Sequence, residues 1–374
     1  MIYLDYSATT PVNKEVLESF NKACTNFIGN PNSLHKLGTD ARDLISSATT
    51  QIAQILKIKE TEIVYTSCAS ESNNLAIKGV ALKYKNRGNH IITTSLEHSS
   101  VYGPLNFLQD QGFEVEFVNI NDDGLIDIEH LKSLIRDTTI LVSINSVNSE
   151  LGILQPIDEI GKMLQEYPKC FYHVDMTQNI GKVDIPLTYI DLASIDAHKF
   201  YGLKGIGMLV KKEKIMLEPL IHGGKSTTVF RSGTPALPLI VSMAKALRLA
   251  YDNMLNKYNY VLELNEYLKT ELVKYPGVVI NSNNYCISYI LNFSVIGVKP
   301  ETFLHALEEY EIYISTQSAC ASDSSMSKSV YALTKNEEIA SSSLRISLSS
   351  LTTKEELTTF LECFEKCYNK LRLK

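Results

Sequence analysis

Lys199 closes an apolar run and leads into a glycine-rich turn, in "SIDAHKFYGLKGIG", residues 194–207, with His198 directly before it. Most lysines are solvated surface charges. The alternative is an amine that forms a Schiff base with an aldehyde. Three further groups stand just after strand-like runs. "FYHVDMTQ" ends its apolar stretch on Asp175, with Gln178 three residues on. A carboxylate there either caps a turn or holds a cationic ring nitrogen, because ionised Asp favours the protonated form of its partner. His98 closes "HIITTSLEH", either as a hydrogen-bonded core histidine or as an imidazole laid over a planar ligand and able to move protons. "EIVYTSCASES" passes from a strand through small residues into a helix. That transition leaves N–H groups free around Ala69 and Ser70 for a phosphate, or marks an ordinary serine cap.

One ligand satisfies all of these groups together. It has a phosphate for the helix start, a ring nitrogen for the carboxylate and an aldehyde for the amine. Pyridoxal 5′-phosphate carries all three, and proteins that use it supply a Schiff-base lysine and an aspartate at the pyridinium nitrogen. Gly202, Gly205 and Gly207 would let the chain turn closely against such a site.

The elements that must position these residues are legible between about 60 and 210. There "EIVYT", "HIITTS", "EVEFVNI", "TILVSI", "FYHVD", "LASID" and "GIGMLV" alternate with helical patterns. Such alternation predicts an α/β fold, a largely parallel sheet covered by helices on both faces. Ligands then sit outside the carboxyl ends of the strands. Past residue 235 the pattern changes to a long helical region, about 236–275, a mixed tail and a last helix near 353–371. A chain of 374 residues exceeds what one core usually organises. The expected division is a large cofactor-binding domain over 13–252 and a smaller α+β domain formed by 1–12 with 253–374. "ACASDSSMSKS", residues 319–329, lacks apolar periodicity and is expected to be a mobile loop.

Composition excludes several classes. The net charge of −6 comes with no basic block, which argues against direct nucleic-acid binding. "MIYLDYSATT" carries no basic n-region or apolar h-region, and no run approaches a membrane span. Seven cysteines, an odd number scattered along the chain, argue against a disulfide framework and for the reducing cytoplasm. Cys363 and Cys367 stand four apart on the last helix. Without a second pair nearby they are two small residues on one helix face, and no metal site is expected.

Ten stretches in a fixed order carry a family resemblance over nearly the whole chain: "YLDYSATTPV", "GNPNSLHKLG", "EIVYTSCASESNNLAIKG", "HIITTSLEH", "VNSELGILQPI", "YHVDMTQNIGK", "AHKFYGLKGIG", "HGG" with "RSGT", "STQSACAS" and "SSLRISL". The sequence resembles the cysteine desulfurases of the NifS and IscS kind, pyridoxal-phosphate enzymes of the class V aminotransferase family. The resemblance implies a fold-type I transferase with a seven-stranded, mainly parallel sheet and a homodimer. It implies that Lys199 carries the cofactor, Asp175 pairs with the ring nitrogen and Gln178 approaches the ring hydroxyl. His98 would stack on the ring as acid and base. Ala69, Ser70 and His198 would hold the phosphate, joined by Thr234 from the neighbouring subunit. Arg345 would clamp the substrate carboxylate, a task suited to a planar bidentate donor. Cys320, in a polar stretch, would take sulfur from L-cysteine as a persulfide, leaving alanine. Its loop would then present the sulfur to an acceptor protein, an iron–sulfur scaffold or a thiolation enzyme, and Cys320 could transiently ligate a cluster. The long segment between Cys320 and Arg345 resembles the NifS and IscS group rather than the SufS group.

Three positions depart from the family pattern. Cys68 replaces a glycine. Ser149 stands where many relatives have a second Asn that touches substrate or cofactor, which weakens that contact or shifts it to Asn148. Asp196 sits three before the lysine, where a phosphate-binding serine is usual. A carboxylate there repels a phosphate dianion unless it turns away or is protonated, so looser cofactor retention is expected. "STTVF" before "RSGT" also differs, and nothing in the sequence accounts for it. Two other functions stay in view. One is a selenocysteine lyase or another enzyme of the same family. The other is a scaffold that has lost its cofactor, which Asp196, Cys68 and Ser149 would motivate.

Overall fold

A computed structural model describes residues 1–316 and 326–372. A short strand, β1 (Ile2–Tyr3), precedes seven strands that share one sheet: β2 (Ile63–Thr66), β3 (His90–Thr94), β4 (Glu114–Val118), β5 (Thr139–Asn145), β6 (Phe171–Asp175), β7 (Leu192–Asp196) and β8 (Gly207–Lys211). Their order across the sheet is β2-β8-β7-β6-β5-β3-β4. Only β8 runs against its neighbours. This is the largely parallel sheet that the strand–helix alternation predicts, with the seven strands that the family resemblance implies.

The central strands read as continuous apolar runs because helices cover both faces. Every residue of β5 is buried. Pleating sends Leu141 into the cluster with Leu75, Ile77 and Leu105, and its neighbour Val142 into the opposite cluster with Ile52, Val174 and Leu247. The helices Ala69–Tyr84 and Ser99–Asp110 lie on the first face, and the helices Lys36–Leu56 and Leu237–Tyr251 on the second.

The C-terminal part has a core of its own. β9 (Val278–Ile280), β10 (Ile290–Val295) and β12 (Ser343–Ser347) form an antiparallel sheet in the order β12-β10-β9, while β11 (Ile312–Tyr313) pairs in parallel with β1. Leu4 is buried in this core with Leu264, Phe293, Phe360 and Phe364, and the Ser347 N–H donates to the Leu4 carbonyl at 2.8 Å. The long helical region is two helices, Leu237–Tyr251 and Met254–Leu272, broken where Asn253 adopts a left-handed conformation (φ 53°). Among the described residues no helix is long and apolar enough to cross a membrane.

Candidate active site

The carboxyl ends of β5, β6 and β7 open on a cavity of about 230 Å³ whose wall includes His98, Asp175, Asp196, His198, Lys199 and Arg345. Lys199 sits in a single helical turn, Ala197–Lys199, directly after β7. Its Nζ donates to the carbonyls of Ser7 and Ala8 at 2.6 and 2.9 Å. Burial, aided by the Arg345 charge, pulls its pKa down to about 8, so a neutral amine is accessible near neutrality. Two glycines make this turn possible. A Cβ on Gly202 would lie 2.7 Å from the Ala197 carbonyl oxygen, and one on Gly207 would lie 2.8 Å from the Cys68 carbonyl carbon. The second contact brings the start of the helix Ala69–Tyr84 against the sheet.

Asp175 ends β6. One of its oxygens accepts from the Thr177 N–H at 3.0 Å and from the Thr177 hydroxyl, and the other accepts from Asn73 Nδ2 at 2.8 Å. It therefore forms a turn and still faces the cavity. Gln178 is buried on the wall, with its Nε2 donating to the Ser7 carbonyl at 3.0 Å and its Oε1 accepting from Lys182 Nζ at 3.2 Å. His98 is the N-cap of the helix Ser99–Asp110. Burial, joined by the Lys199 charge and opposed by Asp175 and Glu150, lowers its pKa.

At the other end of the cavity, the N–H groups expected to be free at the helix start are not all free. Cys68 is the N-cap but makes no side-chain cap bond, and no serine caps this end. The Ala69 N–H donates instead to Asp196 Oδ2 at 2.7 Å. Asp196 is buried, and burial raises its pKa. It turns toward the helix start, not away from it. His198 packs beside it, with Nε2 3.6 Å from Asp196 Oδ1 and Nδ1 3.0 Å from Thr9 Oγ1. Burial and the neighbouring lysine charges drop the His198 pKa to about 4.

Arg345 lies on β12 and is 1% exposed. It donates through Nη1 to the Ser149 carbonyl at 2.8 Å and through Nη2 to Asp5 at 2.7 Å. Its Nε finds no partner among the described residues. Ser149 lines the cavity.

Three comparisons meet this geometry. The family model for class-V aminotransferases matches residues 2–360. The chain belongs to the class-V aminotransferase family. A curated relative, the cysteine desulfurase IscS of Dictyoglomus turgidum, is 38% identical over 99% of this chain and 95% of its own. Among solved structures, a NifS-like protein superposes with a TM-score of 0.93 at 33% identity, covering 99% of this chain and 100% of that one. A structure of SspA in complex with cysteine gives 0.83 at 34% identity, covering 94% and 100%.

As a member of this family the chain is a pyridoxal-phosphate enzyme, and its cavity can be tested for fit. The groups for the ring fit: a buried amine, a carboxylate and an imidazole line the same cavity. The phosphate end holds Ala69, Ser70 and His198 together with the Asp196 carboxylate, which already takes one helix-start N–H.

Asn148 is not part of the cavity wall. Its Oδ1 accepts from the N–H groups of Glu150 and Leu151 at 3.0 and 2.7 Å, and its Nδ2 donates to Leu96 and Ser329. The side chain that builds a turn this way has no group left for a substrate, so the contact does not shift from position 149 to Asn148. Thr234 is exposed and does not line the cavity of its own chain. Cys320 lies outside the described residues. Cys363 and Cys367 are buried in the helix Lys354–Arg372, and no cluster able to hold a metal occurs among the described residues.

Sequence reading missed Asn145, Asn73 and Ser100. Asn145 is on the wall, with its Nδ2 on the Leu96 carbonyl and its Oδ1 without a partner among the described residues. Its signal was its place at the carboxyl end of a central strand. Asn73 and Ser100 had no sequence signal, since the bonds that place them cross between helices.

Proposed function

We propose that the chain is a cysteine desulfurase that converts L-cysteine to L-alanine and holds the sulfur as a persulfide on Cys320 for transfer to an acceptor protein. The observation that carries this reading is the convergence of the Lys199 amine, the Asp175 carboxylate and the Arg345 guanidinium on one cavity. That set is suited to an amino-acid substrate. A curated relative named a cysteine desulfurase supports it.

When bound, pyridoxal phosphate supplies an aldehyde for the substrate amine and a ring that draws electrons from the substrate α-carbon. The residues do the rest. Lys199 carries the cofactor at rest and, with its low pKa, is the base for the α-proton. Asp175 would keep a proton on the ring nitrogen, and Gln178 and His98 would help hold the ring. Arg345, beside Ser149, receives the substrate carboxylate. Ala69, Ser70 and His198 hold the phosphate, with Thr234 of a second copy of this chain completing the site in a homodimer. The sulfur acceptor is a protein of iron–sulfur assembly or of tRNA thiolation. The six described cysteines are free, which suits the cytoplasm. We divide the chain into a large domain, 13–252, and a smaller one, 1–12 with 253–374, because Leu4 packs with the C-terminal core.

The test is incubation of the loaded protein with L-cysteine. One L-alanine should appear per sulfur removed, and peptide mapping should find the added sulfur atom on Cys320. Failure to form alanine, or sulfur carried only by another cysteine, would refute the proposal.

Asp196 sets a second expectation. Asp196→Ser removes a carboxylate from the phosphate end and should tighten cofactor binding about tenfold, roughly 1.4 kcal/mol of relieved repulsion. Since burial raises the Asp196 pKa, acid protonates the wild-type side chain and silences the repulsion. The gap between the two proteins should therefore narrow as pH falls in equilibrium titrations of the apo forms. Equal affinities at neutral pH would contradict it.

A further inference from the structure

Four hydrogen bonds run from the Asp175 carboxylate to the His98 ring, and their directions are fixed by the chemistry of the groups. A carboxylate oxygen only accepts, so the Asn73 atom 2.8 Å from Asp175 is Nδ2. The same nitrogen lies 2.9 Å from Ser100 Oγ and gives it a second hydrogen. Ser100 Oγ is thus an acceptor toward Asn73, and its own hydrogen must point elsewhere. Its remaining neighbour among the described residues is His98 Nδ1 at 2.8 Å. The Ser100 backbone N–H, which can only donate, also meets His98 Nδ1 at 3.2 Å. Two donors therefore converge on Nδ1, and that nitrogen must present its lone pair. The proton of a neutral ring is then on Nε2, which has no protein partner among the described residues, while the imidazole lines the cavity.

We propose that Ser100, backed by Asn73, is a positioning residue that fixes His98 as the neutral tautomer protonated on Nε2, so that the ring offers the cavity an N–H donor and not a lone pair. The inference rests on the assignment of His98 to the cofactor cavity in the desulfurase reading. It changes the role expected for this residue. A neutral imidazole protonated on Nε2 cannot accept a proton there, and giving that proton up would leave an imidazolate. In this state His98 meets the cavity as a hydrogen-bond donor, and the proton acceptor among the lining groups is the Lys199 amine. An ordinary histidine N-cap explains the backbone contact alone. The hydroxyl, oriented by Asn73 from a different helix, is the additional device. The charged groups around the ring are Asp175 at the end of β6, Lys199 after β7 and Glu150 after β5. A hydroxyl donating to Nδ1 stabilises the neutral form against the two carboxylates.

The test is long-range proton–nitrogen NMR on pyridoxal-phosphate-loaded protein labelled at its eight histidines, with the His98 signals identified by their loss in His98→Gln. Wild type should show Nε2 protonated and Nδ1 bare. Ser100→Ala should raise the His98 pKa by about half to one unit, the size of one neutral hydrogen bond, and Ser100→Thr should restore it. A proton on Nδ1 in wild type, or a Ser100→Ala protein with unchanged nitrogen shifts and pKa, would overturn the proposal. The two readings fail separately. Alanine release alongside an Nδ1-protonated ring sinks the tautomer lock alone, and an Nε2-protonated ring in a protein that releases no alanine supports the lock and sinks the desulfurase.

Discussion

Lys199→Ala lowers the rate of alanine formation from L-cysteine by at least about 10⁴-fold, the upper range for loss of a positioned acid–base group, and the loss falls on kcat. Two properties of the site require this. On the proposed function Nζ is the amine that carries the cofactor, and burial with the Arg345 charge brings its pKa down to about 8, so it can act as a base near physiological pH. His198, held near 4 by burial, stays neutral but is engaged with Thr9 and Asp196, so it offers no substitute. The same pKa predicts how the apo protein takes up pyridoxal phosphate. Only the neutral amine attacks an aldehyde, so the loading rate should rise about tenfold per unit below pH 8 and level off above it. A loading rate flat from pH 6 to 9, or a Lys199→Ala protein within tenfold of wild type, would show that another amine does the work.

The sheet was legible because its central strands are buried on both faces and so appear as unbroken apolar runs. The groups at their carboxyl ends, Asp175, Asp196 and Lys199, were legible for the same reason, since a polar residue terminating such a run has little structural excuse. What the sequence hid is the direction in which these groups point. Asp196 reaches a helix start 127 residues away in the chain, and no local pattern records that bond. Asn148 looked available because it is an amide beside a substituted position, yet it is consumed by two backbone N–H groups of its own loop. Ser100 looked like any hydroxyl in the first turn of a helix. Its meaning comes from Asn73 on a second helix, and only the packing of the two makes the pair. The break at Asn253 was hidden too, because both flanking segments carry helical patterns and the left-handed residue between them is not a glycine.

The second large effect concerns Arg345. Arg345→Leu should reduce kcat/KM for L-cysteine about 10³-fold, or roughly 4 kcal/mol, within the range for removing one partner of a buried, hydrogen-bonded charge pair, with most of the change in KM. Among the described residues only the guanidinium Nε has no partner, because Nη1 is on the Ser149 carbonyl and Nη2 on Asp5. A substrate carboxylate therefore meets a cation already oriented from two sides, at little cost in side-chain entropy. Arg345→Lys keeps a charge, but an ammonium cannot hold Ser149, Asp5 and a substrate in one plane, so this variant should recover little of the lost affinity. Removing the cation also strands Asp5, whose side chain is 20% exposed. Thermal stability should fall for that reason, and Asp5→Asn added to Arg345→Leu should restore stability without restoring substrate affinity. Kinetics and melting curves on wild type and these three variants separate the two effects. If the double variant regained both, Arg345 would be holding the fold together and would not be the carboxylate clamp.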